Sequence, residues 1–193
     1  MTTENIKERA WVDSLVPDLR DALRACNPAF EVSAGQRIRY SNEIRRYTGD
    51  DATVVNGVSY ETDLSIIERL ADGGWIPRVI VEMKLKSVTT HDAITYSQKA
   101  AAHKTVHPYL RYGIMIGNRG TKALPGRLFR HGAEFDFMMI FRAHTPTPDE
   151  ASTFTELLLK EVEASRALEQ IVFDTRSRTR TMFTVMRKPL ELR

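Results

Sequence analysis

The sequence predicts a mixed α/β domain in which a central sheet is flanked by helices. Three observations carry this expectation. Two arms of alternating polarity, residues 58–71 and 76–86, flank the turn signal Asp72-Gly73-Gly74. A helical run at 89–107 follows them, and an apolar segment at 109–117 follows the helix. A hairpin, then a crossover helix, then a strand parallel to the second arm makes a mixed sheet. With 193 residues, 42% hydrophobic and 27% charged, the chain is expected to form a single domain, 1–193, with a proper core at about 36–141.

Taken in order, residues 4–26 read as an amphipathic helix with Ile6, Ala10, Trp11, Leu15, Leu19, Ala22 and Leu23 on one stripe. Pro17 is expected to kink or divide it, and Asn27-Pro28 to end it. Cys26, the single cysteine, excludes an internal disulfide and is expected to be a buried thiol. Residues 36–47 fit a strand or a helix; Asp50-Asp51 and Asn56-Gly57 mark turns. In the first arm Tyr60, Thr62, Leu64 and Ile66 share one face, and Glu61, Asp63 and Ser65 the other. In the second, Val79, Val81, Met83 and Leu85 oppose Glu82, Lys84 and Lys86.

Thr89 or Thr90 caps the following helix, and Pro108 stops it. His103 and His107 stand four apart on it, but Lys104 takes the place of a metalloprotease glutamate and no third ligand is evident. They are expected to be surface histidines. Residues 118–131 read as a Gly-rich basic loop, 134–141 as a strand, and 148–170 as a helix with proline in its first turn. The tail, 175–188, alternates polar and basic residues, as an edge strand blunted by charge or a DNA-facing ribbon would.

The chemistry concentrates on the two arms. A two-residue loop at Asp72-Gly73 sets Asp63 opposite Glu82, and one at Gly73-Gly74 sets it opposite Lys84. An odd loop length breaks the alignment. In either even register two carboxylates and an ammonium share one polar patch. Carboxylates this close repel unless a cation lies between them, and hard oxygen ligands suit Mg²⁺. A lysine beside such a site orients water and stabilises charge developing on a phosphate. An acid-x-Lys triplet alone is expected by chance about once here, so the signal lies in its pairing with Asp63 across a turn.

On these residues the sequence resembles the PD-(D/E)xK nuclease superfamily, over about residues 41–117. The resemblance implies an αβββαβ restriction-endonuclease-like core, with Asp63 and Glu82 as Mg²⁺ ligands helped by the Met83 carbonyl, and Lys84 as catalytic lysine. It also implies an assisting upstream acid, for which Glu43 is the candidate, with Glu61 as the alternative. Thr62 stands where the pattern has proline. The helix at 89–107 carries Tyr96 and Gln98 but lacks the glutamine–tyrosine pair of the helicase-linked exonuclease branch. Gln98 faces either the metal site or solvent.

Net charge is +3, with 20 Arg against 8 Lys, and arginine's planar fork suits phosphate and the guanine edge. Two basic patches carry the candidate DNA contacts: Arg119, Lys122, Arg127 and Arg130, then Arg176, Arg178 and Arg180. A solvated basic face accounts for either patch alone. No apolar run reaches membrane-spanning length and no signal-like stretch opens the chain, so a cytoplasmic location is expected. The expected activity is Mg²⁺-dependent hydrolysis of double-stranded DNA leaving 5′-phosphates, by a homodimeric type II restriction endonuclease. The alternatives are a structure-specific junction or repair nuclease, and a DNA-binding protein on the same fold without catalysis.

Overall fold

The computed structural model describes residues 7–174. The tail arginines Arg176, Arg178 and Arg180 lie outside the described residues, as does the expected helix start at 4–6. A five-stranded sheet, ordered β1-β4-β5-β6-β7, is built from β1 (Phe30–Ser33), β4 (Leu64–Arg69), β5 (Trp75–Leu85), β6 (Arg111–Gly117) and β7 (Phe137–Ile140). Its first three strands are antiparallel neighbours and its last three are parallel. A second sheet is one long hairpin, β2 (Arg37–Thr48) with β3 (Asp51–Glu61).

Helices cover both faces of the main sheet. On one side α1 (Glu8–Cys26) and α4 (Pro148–Glu169) bury Trp11, Leu23, Phe154 and Leu158 against Leu64, Ile66, Val79, Val81 and Met83. On the other, α2 (Thr90–Val106) and α3 (Gly126–His131) close over Ile80, Tyr112, Ile114 and Ile116. Strands covered on both faces lose the alternation of a half-solvated sheet, which is why β6 is buried at every position. Thr89 caps α2, its side chain accepting from the Asp92 N–H while Asp92 accepts from the Thr89 N–H.

Several local expectations change. The first helix runs through Pro17 undivided, because its buried stripe (Trp11, Val12, Leu15, Val16, Leu19, Leu23) continues on both sides of an exposed proline. Cys26 ends that helix exposed rather than buried. Residues 36–47 resolve as strand. Their hairpin turns at Gly49-Asp50, with Gly49 at φ +64°. Asn56-Gly57 is not a turn but lies inside β3, where the Arg39 guanidinium lies across Gly57 and a Cβ there would come within 2.2 Å of it. The basic loop after β6 contains the short helix α3.

The expected strand through Asp63 is broken at Thr62-Asp63. Thr62 is buried; its N–H and hydroxyl both donate to the Gln36 carbonyl, and its own carbonyl accepts from Gly35. These bonds turn the chain out of the hairpin and into the main sheet, with Asp63 at the corner.

Candidate active site

Register decides whether the acids meet. The β4–β5 turn is five residues, Leu70 to Gly74, not two, since Arg69 pairs with Trp75. Left alone, that odd length would turn Asp63 away from Glu82. A β-bulge between Ile66 and Ile67 leaves Arg78 unopposed and restores the alignment, so that Leu64 pairs with Val81. Continuing by one residue sets Asp63 opposite Glu82. The extra residue is held by burial and charge: Arg78 is 4% exposed and pairs with Glu68 at 2.7 Å and Glu169 at 2.6 Å.

Asp63 accepts the Met83 N–H at Oδ2, 2.9 Å away. The β4 ladder begins at Leu64, so this carboxylate satisfies an amide that the sheet leaves unpaired. The N–H and carbonyl of one strand residue point to the same side. The Met83 carbonyl is therefore directed to the side where Asp63 stands. Burial first, and then the neighbouring Glu82 charge, raise the Asp63 pKa, opposed by the Met83 amide and Lys84.

Glu82 is 1% exposed, and its charge is compensated from two sides. The Tyr112 hydroxyl donates to Oε1, and the Lys99 ammonium lies 2.7 Å from the same oxygen. Burial and the Glu82 charge keep the Tyr112 phenol well above its ordinary pKa, hence a donor. Lys99 reaches across from α2 with its ammonium over the rings of Tyr60, at 5.2 Å, and Tyr96, at 5.3 Å. Gln98, its neighbour, is exposed. The helix contribution to the site thus comes from a lysine one position on. That lysine stands four residues before the buried His103 and so shares its helix face, but with His103 expected at the surface the sequence carried no such signal.

Lys84 extends from the same face of β5 and pairs with Glu8 at 2.8 Å, while Glu8 also accepts the Leu85 N–H at 3.2 Å. Burial alone would lower the Lys84 pKa, but the hydrogen bonds that its ammonium donates to Glu8 and Tyr96 outweigh it and raise it. Glu8 lies in the first turn of α1, where a carboxylate also suits the helix dipole. Glu8 is thus the carboxylate that α1 brings to Lys84. Glu43 is exposed on the hairpin and accepts from Asn56 Nδ2 at 3.0 Å. Glu61 pairs with Arg9 at 3.4 Å. Neither is hydrogen-bonded or ion-paired to Asp63 or Glu82.

His103 is fully buried, contrary to the surface position expected for it. Its Nδ1 lies 3.2 Å from the Arg39 carbonyl, and it sits among the rings of Tyr40, Tyr60 and Tyr112. Burial lowers its pKa to about 4, so it is neutral at pH 7. His107 is half-buried, and burial lowers its pKa too. His103 roots the hairpin on α2.

Of the described candidate DNA contacts, Lys122, Arg127 and Arg130 are exposed. Arg119 is turned inward: Nη1 donates to the Lys86 carbonyl at 2.7 Å and Nη2 to that of Ala123 at 2.9 Å. It braces the loop where Lys86 and Asn118, at φ 64° and 54°, end the parallel strands β5 and β6 in left-handed backbone. Ligand sites in α/β sheets lie at such carboxyl ends.

The charge arrangement has a testable cost. The folded protein holds the Asp63 proton to higher pH than the unfolded chain does, so it binds more protons between the two pKa values. Stability therefore falls as pH rises through that window. Asp63→Asn keeps an acceptor for the Met83 amide and removes the repulsion. It is expected to raise the thermal midpoint in EDTA at pH 7 by roughly 2–4 °C, with the gain vanishing below about pH 4. A midpoint below wild type at pH 7 in scanning fluorimetry would contradict the repulsion.

The chain matches no known family model and no curated protein. Among the described residues no helix is long and apolar enough to cross a membrane.

Proposed function

We propose that the protein is a Mg²⁺-dependent endonuclease acting on DNA, built on a restriction-endonuclease-like core. One observation carries the reading: Asp63 and Glu82 are brought side by side at the carboxyl end of β5, with Lys84 next along the same face. The fold agrees with it. With the β2–β3 hairpin set aside, the elements run α1, β1, β4, β5, α2, β6, the αβββαβ order.

The donor set suits Mg²⁺. Among the described residues no three His, Cys, Asp or Glu gather into a metal cage. Mg²⁺ needs none, since it is commonly held by one or two carboxylates and keeps its remaining places for water and phosphate oxygens. The protein bonds described above engage Asp63 Oδ2 and Glu82 Oε1. Asp63 Oδ1, Glu82 Oε2 and the Met83 carbonyl would hold the ion. When bound, Mg²⁺ supplies a polarised phosphoryl oxygen and a water of lowered pKa.

The other roles belong to the chain. Tyr112 and Lys99 hold the Glu82 carboxylate in one orientation, and the Met83 amide does the same for Asp63. Lys84 stays protonated and so acts as a donor to the attacking water or to the phosphate, not as a base. Glu8 sets where its ammonium points.

Two substrate classes fit. In the first, a two-fold dimer cuts a short duplex sequence, one site per strand, with the exposed Lys122, Arg127 and Arg130 as base or phosphate readers. In the second, a structure-specific nuclease reads unpaired strand. It is favoured by the cleft of Trp75, Arg37 and Arg39 at the far end of β5.

Incubation of the protein with phage DNA, with Mg²⁺ or EDTA, tests the reading. Discrete Mg²⁺-dependent fragments are expected for the first class, and cleavage of flapped or branched DNA alone for the second. Cleavage that persists in EDTA would overturn the mechanism; DNA binding without cleavage of any substrate would leave a non-catalytic binding protein.

A further inference from the structure

A cleft of about 450 Å³ opens at the end of the sheet opposite the acid pair. Arg37 and Arg39 from β2, Trp75 and Pro77 from β5, and His107 and Tyr109 between α2 and β6 line it. Its volume suits a ligand of mononucleotide size.

The lining is selective in kind. Trp75 is 38% exposed, a large indole left open on a polar rim, whereas Trp11, the other tryptophan, is 1% exposed. Neither Arg37 nor Arg39 has a carboxylate partner among the described residues; the Arg39 Nη1 donates only to the neutral Asn42 side chain at 3.3 Å. Arg37 stands across the hairpin from Glu61, whose carboxylate is drawn to Arg9. Two guanidinia without an ion pair among the described residues, beside an open aromatic face, are the pieces from which single-stranded nucleic-acid sites are made: cations for the backbone, a ring for the base. Within a duplex the bases stack on one another, and their faces are closed to such a ring.

Position ties the cleft to the acid pair. Pro77 and Glu82 lie five residues apart on one extended strand, about 17 Å. The root of the hairpin spans the interval. Ser59 lines the cleft, and the next residue, Tyr60, lies under the Lys99 ammonium that pairs with Glu82.

We propose that this cleft binds one unpaired nucleotide of a single-stranded DNA segment, the base against the Trp75 indole and its phosphate on Arg37 and Arg39. The inference rests on the nuclease reading for the path of the strand toward Asp63 and Glu82, and deepens it: the substrate carries a flap, gap or frayed end.

The test is binding in EDTA, where no cleavage is read. A labelled single-stranded oligonucleotide and the blunt duplex of the same sequence are titrated with wild-type protein, Trp75→Ala, Trp75→Phe and the double variant Arg37→Gln, Arg39→Gln. Anisotropy and tryptophan emission are recorded. Expected are quenching of the exposed indole by the single strand and about tenfold weaker single-strand binding by Trp75→Ala. Recovery is expected in Trp75→Phe, which keeps an aromatic face. The arginine variant should bind more weakly with a shallower salt dependence. Duplex affinity should not respond to Trp75→Ala. Equal single-strand affinity in wild type and Trp75→Ala, or equal losses for single strand and duplex, would overturn the proposal. Trp75-dependent binding in a protein that cuts nothing with Mg²⁺ would instead remove the nuclease reading and leave the cleft standing.

Discussion

Lys84→Ala should lower the rate of Mg²⁺-dependent cleavage by about 10²–10³-fold, the usual cost of deleting one preorganised donor at developing charge. Lys84 is 16% exposed in its side chain, and Glu8 and the Tyr96 ring hold its ammonium in place. A charge fixed beforehand needs no reorganisation as the phosphate accumulates charge, which is why its removal falls on the rate and not on the fold. The variant should stay folded, because Glu8 is 38% exposed and keeps the Leu85 amide as a partner. The pH profile separates donor from base. With its pKa raised, Lys84 stays charged across neutral pH, and the single-turnover rate should not fall between about pH 7 and pH 9. A Lys84→Ala enzyme that keeps more than a tenth of the wild-type rate would remove Lys84 from the chemistry.

The largest effect on stability is expected from Trp11→Ala, a loss of about 3–5 kcal/mol. Trp11 is 1% exposed and donates its indole N–H to the His144 carbonyl at 2.8 Å. Its ring occupies the space above Gly117, where a Cβ would come within 2.3 Å of it. Gly117→Val should therefore destabilise in the same direction by forcing the two elements apart. The consequence reaches the site, since α1 carries Glu8 to Lys84 and is docked on the sheet through this contact. Urea denaturation followed by circular dichroism measures the loss. A change below about 1 kcal/mol would mean that α1 is not held here.

Sequence pattern suffices where a property belongs to the backbone itself. Glu82 and Lys84 share a face because alternation belongs to the extended backbone, and the structure keeps them so. The parallel strand at 111–117 follows from a helix between two apolar strands, and β6 is found there. The facing of Asp63 and Glu82 needed more. It survives an odd-length turn through the bulge at Arg78, whose partners Glu68 and Glu169 come from β4 and α4. Glu43, the candidate for the upstream acid that the resemblance implies, stands on an exposed hairpin.

Local pattern was enough to single out Asp63, Glu82 and Lys84 as neighbours and to assign each of Glu82 and Lys84 its strand and face, because alternation and turn residues act within a few positions. It was silent on Glu8, 76 residues from Lys84, and on the Lys99 and Tyr112 pairings that hold Glu82. Those contacts arise when helices pack on a sheet. The driving force for packing, apolar burial, is non-directional and leaves no mark at the polar residues it happens to bring together.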